Sequence, residues 1–125
     1  MAARVVTVAF EGVEARRVDV ETQLTGGEFA FIVVGLGDKA VAESRERVRA
    51  AFMGLGLARP GKRIIVNLAP ADLPKVGSHY DLPIALAVMA AMGIVPPDAL
   101  ADWAAVGELS LDGRIAAVSG ALPGR

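Results

Sequence analysis

Between Asn67 and Ala87 the chain reads NLAPADLPKVGSHYDLPIALA, which puts its single histidine, His79, beside Ser78, with Lys75 and Asp81 close by. Serine, histidine, lysine and aspartate are the residue types of nucleophilic hydrolysis: a hydroxyl attacks, a neighbouring base takes its proton, and a carboxylate orients the base. Adjacency alone does not supply that arrangement. Successive side chains usually diverge, so Ser78 and His79 are not a nucleophile and base merely by being neighbours. Asp81 stands at the head of an apolar run and is expected to be a helix N-cap, with Lys75 a loop residue and His79 a surface or capping residue. With one histidine and no cysteine, a zinc-type metal site has few ligands to draw on.

A second constellation is basic. From Asp38 to Arg63 seven basic residues (Lys39, Arg45, Arg47, Arg49, Arg59, Lys62, Arg63) stand against three acidic ones (Asp38, Glu43, Glu46), a net charge of +4 within a chain of net −1. Lysines and arginines of this kind can contact phosphates or a protein partner. At 3.6 residues per turn, however, Arg45 lies at the edge of the apolar stripe while Arg47 and Arg49 fall on different sides. The simpler reading is a solvated helix face with an i,i+4 pair between Glu43 and Arg47. Aromatic residues interleaved for base stacking are missing.

A third is GLGDKA, Gly35 to Ala40, whose spacing fits the G-x-G-x-x-G/A dinucleotide turn. That fold needs an acidic residue closing the next strand to hold a ribose, and RIIVNLAP offers Asn67 instead. A tight turn capped by Asp38 is the better expectation. A phosphate-binding G-x-x-x-x-G-K-[ST] loop is absent from the 125 residues.

The elements that must position these residues follow from hydrophobic period. RVVTVAFEG and EARRVDVETQL alternate as strands, with Val18, Val20, Thr22 and Leu24 on one face and Arg17, Asp19, Glu21 and Gln23 on the other. FAFIVV is apolar on both faces and is expected to be an interior strand. From Asp38 to about Leu55 the period becomes helical, with Val41, Val48, Phe52 and Leu55 on a stripe and Ser44 and Ala51 beside it. KRIIVNLA is a further strand, and Leu82 to Met92 a buried helix in which Pro83 is tolerated in the first turn. Pro96-Pro97 breaks the chain, a short helical turn is expected around Asp98 to Trp103, and VGELSLDGRIAAV reads as a hairpin turning at Asp112-Gly113. The order βββ-α-β-α plus a hairpin predicts an α+β fold, two layers with helices on one face of a mixed sheet. The whole chain, 1–125, is expected to be one domain. The absence of cysteine and of an export signal points to the cytoplasm, and no run is apolar enough to span a bilayer.

The segments AVAESRERVRAAF, VNLAPADLPKVGSHYDLPIALA and VGELSLDGRI resemble the N-terminal domain of the competence-type magnesium-chelatase-like AAA+ ATPases, the ComM/YifB group. The likeness covers nearly the whole chain; one departure is Gly37, where a proline is expected in a G-L-P-D turn. It implies a ribosomal-S5-domain-2-like fold with a β3-α-β-α core, and a left-handed crossover from FAFIVV through the first helix to RIIVNL, against the usual right-handed rule. The same fold serves Lon-type serine-lysine proteases. Against their P-K-D-G-P-S-A-G segment, PKVGSHYD puts His79 at the nucleophile, and the second hairpin puts Leu122 at the dyad lysine. Both dyad members are therefore replaced, which implies a protease-like scaffold without the chemistry.

The resemblance further implies that the full-length protein is a hexameric motor, driven by ATP with Mg2+, that acts on DNA in branch migration, recombination and natural transformation. Its ATPase module would lie downstream of residue 125. The 125 residues themselves are expected to be a non-enzymatic accessory domain without a cofactor or metal. Such a domain would contribute DNA contact or ring assembly through Lys39, Arg45, Arg47, Arg49, Arg59, Lys62 and Arg63. The alternative is a Lon-like hydrolase with an unconventional set around Ser78, His79 and Lys75.

Overall fold

The computed structural model describes residues 2–11, 14–28, 30–54, 63–70, 73, 75, 79–96, 105–109 and 115–116. The chain runs β1 (Ala2–Glu11), β2 (Glu14–Thr25), β3 (Ala30–Val34), α1 (Asp38–Gly54), β4 (Arg63–Ala69), α2 (Asp81–Ala91), β5 (Glu108–Leu109) and β6 (Ile115–Ala116). It is the expected α+β order, with a mixed four-stranded sheet ordered β1-β2-β4-β3. β1 pairs antiparallel with β2, and β2 antiparallel with β4, in the register Val5↔Val20↔Leu68. β3 lies parallel to β4, Phe31 opposite Ile64, so the connection through α1 is a crossover. β5 and β6 pair antiparallel, Leu109 opposite Ile115; the Asp112-Gly113 turn between them, the helical turn expected around Asp98 to Trp103, and Pro97 lie outside the described residues.

Alternation decides which face is inside. Val5, Val18, Val20, Leu24, Phe31, Val33, Ile64, Val66 and Leu68 point toward the helices and are buried together with Val48 and Phe52 of α1 and Ile84 and Val88 of α2. Each such side chain removed from water stabilises the fold by about 1.5–3 kcal/mol before its loss of conformational freedom is counted. The opposite face of β2 carries Arg17, Asp19, Glu21 and Gln23, and there Asn67 donates to Glu21 across the β2–β4 pair at 3.1 Å.

One expectation fails here. FAFIVV is not an interior strand: β3 is an edge of the sheet, and Val34 is 48% exposed. Apolarity on both faces reports what lies above and below a strand, whereas edge position depends on what pairs beside it, which periodicity does not encode.

The opposite edge, β1, is closed by the chain itself. Ala105 N–H donates to the Val6 carbonyl at 2.9 Å, and Gly107 N–H donates to the His79 carbonyl at 3.0 Å. The 105–109 segment thereby ties the edge strand to the start of α2.

α2 ends in a Schellman arrangement around Gly93 (φ 81°), with Ile94 N–H on the Met89 carbonyl at 2.9 Å and Gly93 N–H on the Ala90 carbonyl at 3.1 Å. Pro83 sits in the first turn as expected, where its missing N–H leaves no intrahelical bond broken.

Candidate functional site

The residues that opened the sequence reading converge at the start of α2, but not as a catalytic centre is built. Tyr80 occupies the N-cap position without a side-chain cap bond, and Asp81 is the first helical residue. Asp81 is fully buried. Ser44 Oγ donates to its Oδ1 at 2.7 Å, Arg47 Nη2 to Oδ1 at 3.2 Å, Arg47 Nε to Oδ2 at 2.5 Å, and Leu109 N–H to Oδ2 at 3.1 Å. The expected N-cap role is thus corrected. A capping oxygen turns along its own helix to an amide two or three residues ahead, whereas this carboxylate turns outward and joins α1, α2 and β5. The adjoining amide, Leu82 N–H, finds the Gly107 carbonyl instead, at 2.9 Å. A carboxylate at zero exposure is tolerable only with such a complement of charged and neutral donors.

His79 is corrected as well: it is 2% exposed, not a surface residue. Its Nε2 lies 2.6 Å from the Val8 carbonyl, which can only accept, so this nitrogen carries the proton. The ring packs 5.0 Å from Phe10 and 4.0 Å from Tyr80, centroid to centroid. Burial lowers its pKa from the ordinary histidine value, against the smaller opposing pulls of the Val8 carbonyl and the Asp81 charge. Burial also pushes the Tyr80 phenol up to about 12, and its hydroxyl has no hydrogen-bond partner among the described residues.

Lys75, expected as a plain loop residue, is buried, with Nζ donating to the Pro70 carbonyl at 2.6 Å and the Leu73 carbonyl at 2.9 Å. An ammonium held this way staples its own loop and is poorly placed to act as a base. Ser78 and Leu122 lie outside the described residues.

The seven basic residues separate. Lys39 on α1 and Arg63 at the start of β4 are exposed. Arg45 is half-buried, its Nη1 reaching the Phe31 carbonyl at 3.4 Å. Arg49 faces Glu46 at 3.7 Å. Arg47 is drawn inward by Asp81 with its side chain only 23% exposed, so it does not belong to the solvated face expected from the Glu43 spacing. Arg59 and Lys62 lie outside the described residues.

Gly35 explains the GLGDKA turn. Its φ is 102°, and a Cβ there would stand 2.4 Å from the Leu68 carbonyl oxygen. The glycine allows the chain to leave β3 tight against β4, as the tight-turn reading requires. The Asp38 side chain lies outside what is described.

Away from the helices, an open hollow of about 660 Å³ on the other sheet face is lined by Arg4, Glu21, Gln23, Ile65 and Asn67 among others. Among the described residues there is no cluster of acidic residues and histidine that would hold a metal, and no helix long and apolar enough to cross a membrane.

Sequence reading missed the residues that complete the Asp81 tie, namely Ser44, Arg47 and the Leu109 amide. One signal existed. Ser44 stands beside the apolar stripe of α1, and a hydroxyl heading into a core needs a partner.

Residues 20–124 match the family described as subunit ChlI of Mg-chelatase. The chain is 45% identical over 112 residues to the competence protein ComM of Haemophilus influenzae, covering 90% of this chain and 22% of that one. It is 44% identical over 116 residues to the uncharacterized protein YifB of Escherichia coli, covering 93% and 23%. An uncharacterized protein of Mycobacterium tuberculosis is 43% identical over 120 residues, covering 96% and 24%. The chain therefore spans under a quarter of the length of these relatives.

Proposed function

Because the chain belongs to the family of the Mg-chelatase subunit ChlI, within its ComM/YifB group, we propose that it is the N-terminal accessory domain of a longer AAA+ machine acting on DNA. In this reading it has the ribosomal-S5-domain-2-like fold, left-handed crossover included, and no reaction of its own. ATP and Mg2+ serve the motor of the longer protein, whose subunits form a hexameric ring in the cytoplasm. The domain contributes DNA contact or ring assembly.

The observation that carries the non-catalytic part is the state of the three polar side chains around α2. Asp81 is surrounded by donors, His79 Nε2 is held by the Val8 carbonyl, and Lys75 Nζ by two carbonyls. Asp81 and Lys75 are engaged in holding elements together, and His79, whose Nδ1 keeps its lone pair, is only 2% exposed, so its ring is shut away from a substrate in solvent. The Lon-like hydrolase reading is correspondingly weakened: it requires Ser78 to react with a serine-directed covalent probe and Ser78→Ala to abolish the labelling.

The test is fluorescence anisotropy of the chain with single-stranded and forked DNA across a salt series. Binding that weakens as salt rises supports the DNA-contact role. An absence of binding at low salt overturns it and leaves ring assembly. Deleting the matching segment from a full-length relative should then impair assembly or DNA processing more than nucleotide binding.

A further inference from the structure

The two edges of the sheet are treated differently. The β1 edge is occupied: Ala105 N–H sits on the Val6 carbonyl and His79 Nε2–H on the Val8 carbonyl. Along β3, no described segment pairs with the side away from β4, and beyond the ladder Arg45 Nη1 reaches its backbone at the Phe31 carbonyl over a long 3.4 Å. An apolar, β-branched strand such as AFIVV with an unpaired side is a template for another strand. It is also held firmly in place. Phe31 and Val33 are anchored in the core, and the Gly35 turn presses against Leu68, so little ordering free energy is lost when a partner adds.

The side chains around this edge specify the partner. On the open face, half-buried Ile32 and exposed Val34 offer apolar contact to residues at alternate positions of an added strand. On the helix side stands Arg45, whose guanidinium has five N–H donors, with one 3.4 Å bond and no carboxylate partner among the described residues. A second copy of β3 paired antiparallel would bring two Arg45 guanidinia toward each other, which disfavours self-pairing.

We propose that β3 is a docking edge that takes an extended polypeptide segment of alternating apolar and acidic residues as a fifth strand, the apolar set beside Ile32 and Val34 and the acidic set facing Arg45. Backbone hydrogen bonds to the edge supply affinity, and the alternation supplies selection. This inference does not rest on the DNA-contact reading, although it draws on Arg45 of the same basic set.

The experiment titrates the 125-residue chain with a short acetylated, fluorescein-labelled peptide alternating valine and glutamate, and with its valine–lysine counterpart. Amide hydrogen exchange is followed in parallel. The glutamate peptide should bind about tenfold or more tightly than the lysine peptide, slowing exchange at Phe31 and Val33 while leaving β1 unchanged. Arg45→Glu should invert the preference, and Arg45→Gln, which keeps length and hydrogen bonding, should abolish discrimination while keeping the fold. Failure of both peptides to bind, equal binding unaffected by either substitution, or protection appearing elsewhere than β3 would each overturn the proposal. So would self-association that protects β3 without peptide, which would assign the edge to a second copy.

Discussion

Asp81 is the residue on which the packing of both helices turns. Its partners Ser44 and Arg47 lie 37 and 34 positions earlier on α1, and Leu109 follows on β5. Replacing it by asparagine keeps the volume but turns an amide N–H toward donors already there and removes the buried charge that Arg47 faces. Loss of one member of a buried pair is costly, and with Arg47 partly open to water we expect Asp81→Asn to destabilise by about 3 kcal/mol. Ser44→Ala removes one hydrogen bond to a charged acceptor and should cost about 1.5 kcal/mol. Urea unfolding of both variants and the double variant measures this, and additivity of the two losses would contradict a shared carboxylate hub. His79 gives the same site a pH dependence. Its folded pKa is lowered by burial, so the folded state prefers the neutral ring. The stability this contributes is complete above the unfolded value of about 6.5 and is lost as pH falls from there through the folded pKa. Urea midpoints between pH 8 and pH 5 should therefore fall on acidification, and His79→Gln, which preserves a donor for the Val8 carbonyl, should flatten that fall.

At the scale of elements, the turn from β3 into α1 makes the sharpest prediction. Gly35→Ala places a methyl group where the Leu68 carbonyl already stands and forces a left-handed conformation on alanine. Strain of that kind costs about 1–3 kcal/mol before the clash is relieved, so the unfolding midpoint should drop and amide protection in β3 should fall before that in β1. Gly37→Pro, the residue the family resemblance expects, gives a contrasting case because no atom lies within 4 Å of a Cβ there. The order of strands and helices was legible because period 2 and period 3.6 are written in Val18 to Leu24 and in Val41 to Phe52. The edge position of β3 was not, since pairing partners are set by topology and not by the strand's own residues. The candidate site was legible only as a list of types. Asp81 looked like a cap because an aspartate before an apolar helix usually is one, and nothing local announces that its bonds go to α1 and β5. His79 and Lys75 looked exposed because both are usually solvated, while here backbone carbonyls at Val8, Pro70 and Leu73 accept their hydrogen bonds inside.

For the molecule as a whole, the geometry limits how strongly it can hold a polyanion. The chain is near neutral, with net charge −1, and Arg47 is committed to the interior. Of the seven basic residues between Asp38 and Arg63 that leaves Lys39, Arg45, Arg49, Arg59, Lys62 and Arg63 to neutralise phosphates. Each phosphate contact adds about −0.9 to the slope of log K against log salt for duplex and about −0.7 for single strands. All six engaged at once would give a slope no steeper than about −5 on duplex and about −4 on single-stranded DNA. Arg45 and Arg49 are half-buried on α1, so the observed slope should be shallower than that ceiling. Lys39→Ala and Arg63→Ala should each make it shallower by about 0.7–0.9, with no loss of stability because both side chains are exposed. Arg47→Met should do the reverse, lowering the urea midpoint while leaving the salt slope in place. A slope steeper than the six-contact ceiling would mean that several copies bind together or that cations outside this set take part. A slope indifferent to Lys39 and Arg63 would remove these two exposed residues from any DNA contact and favour a role at the β3 edge.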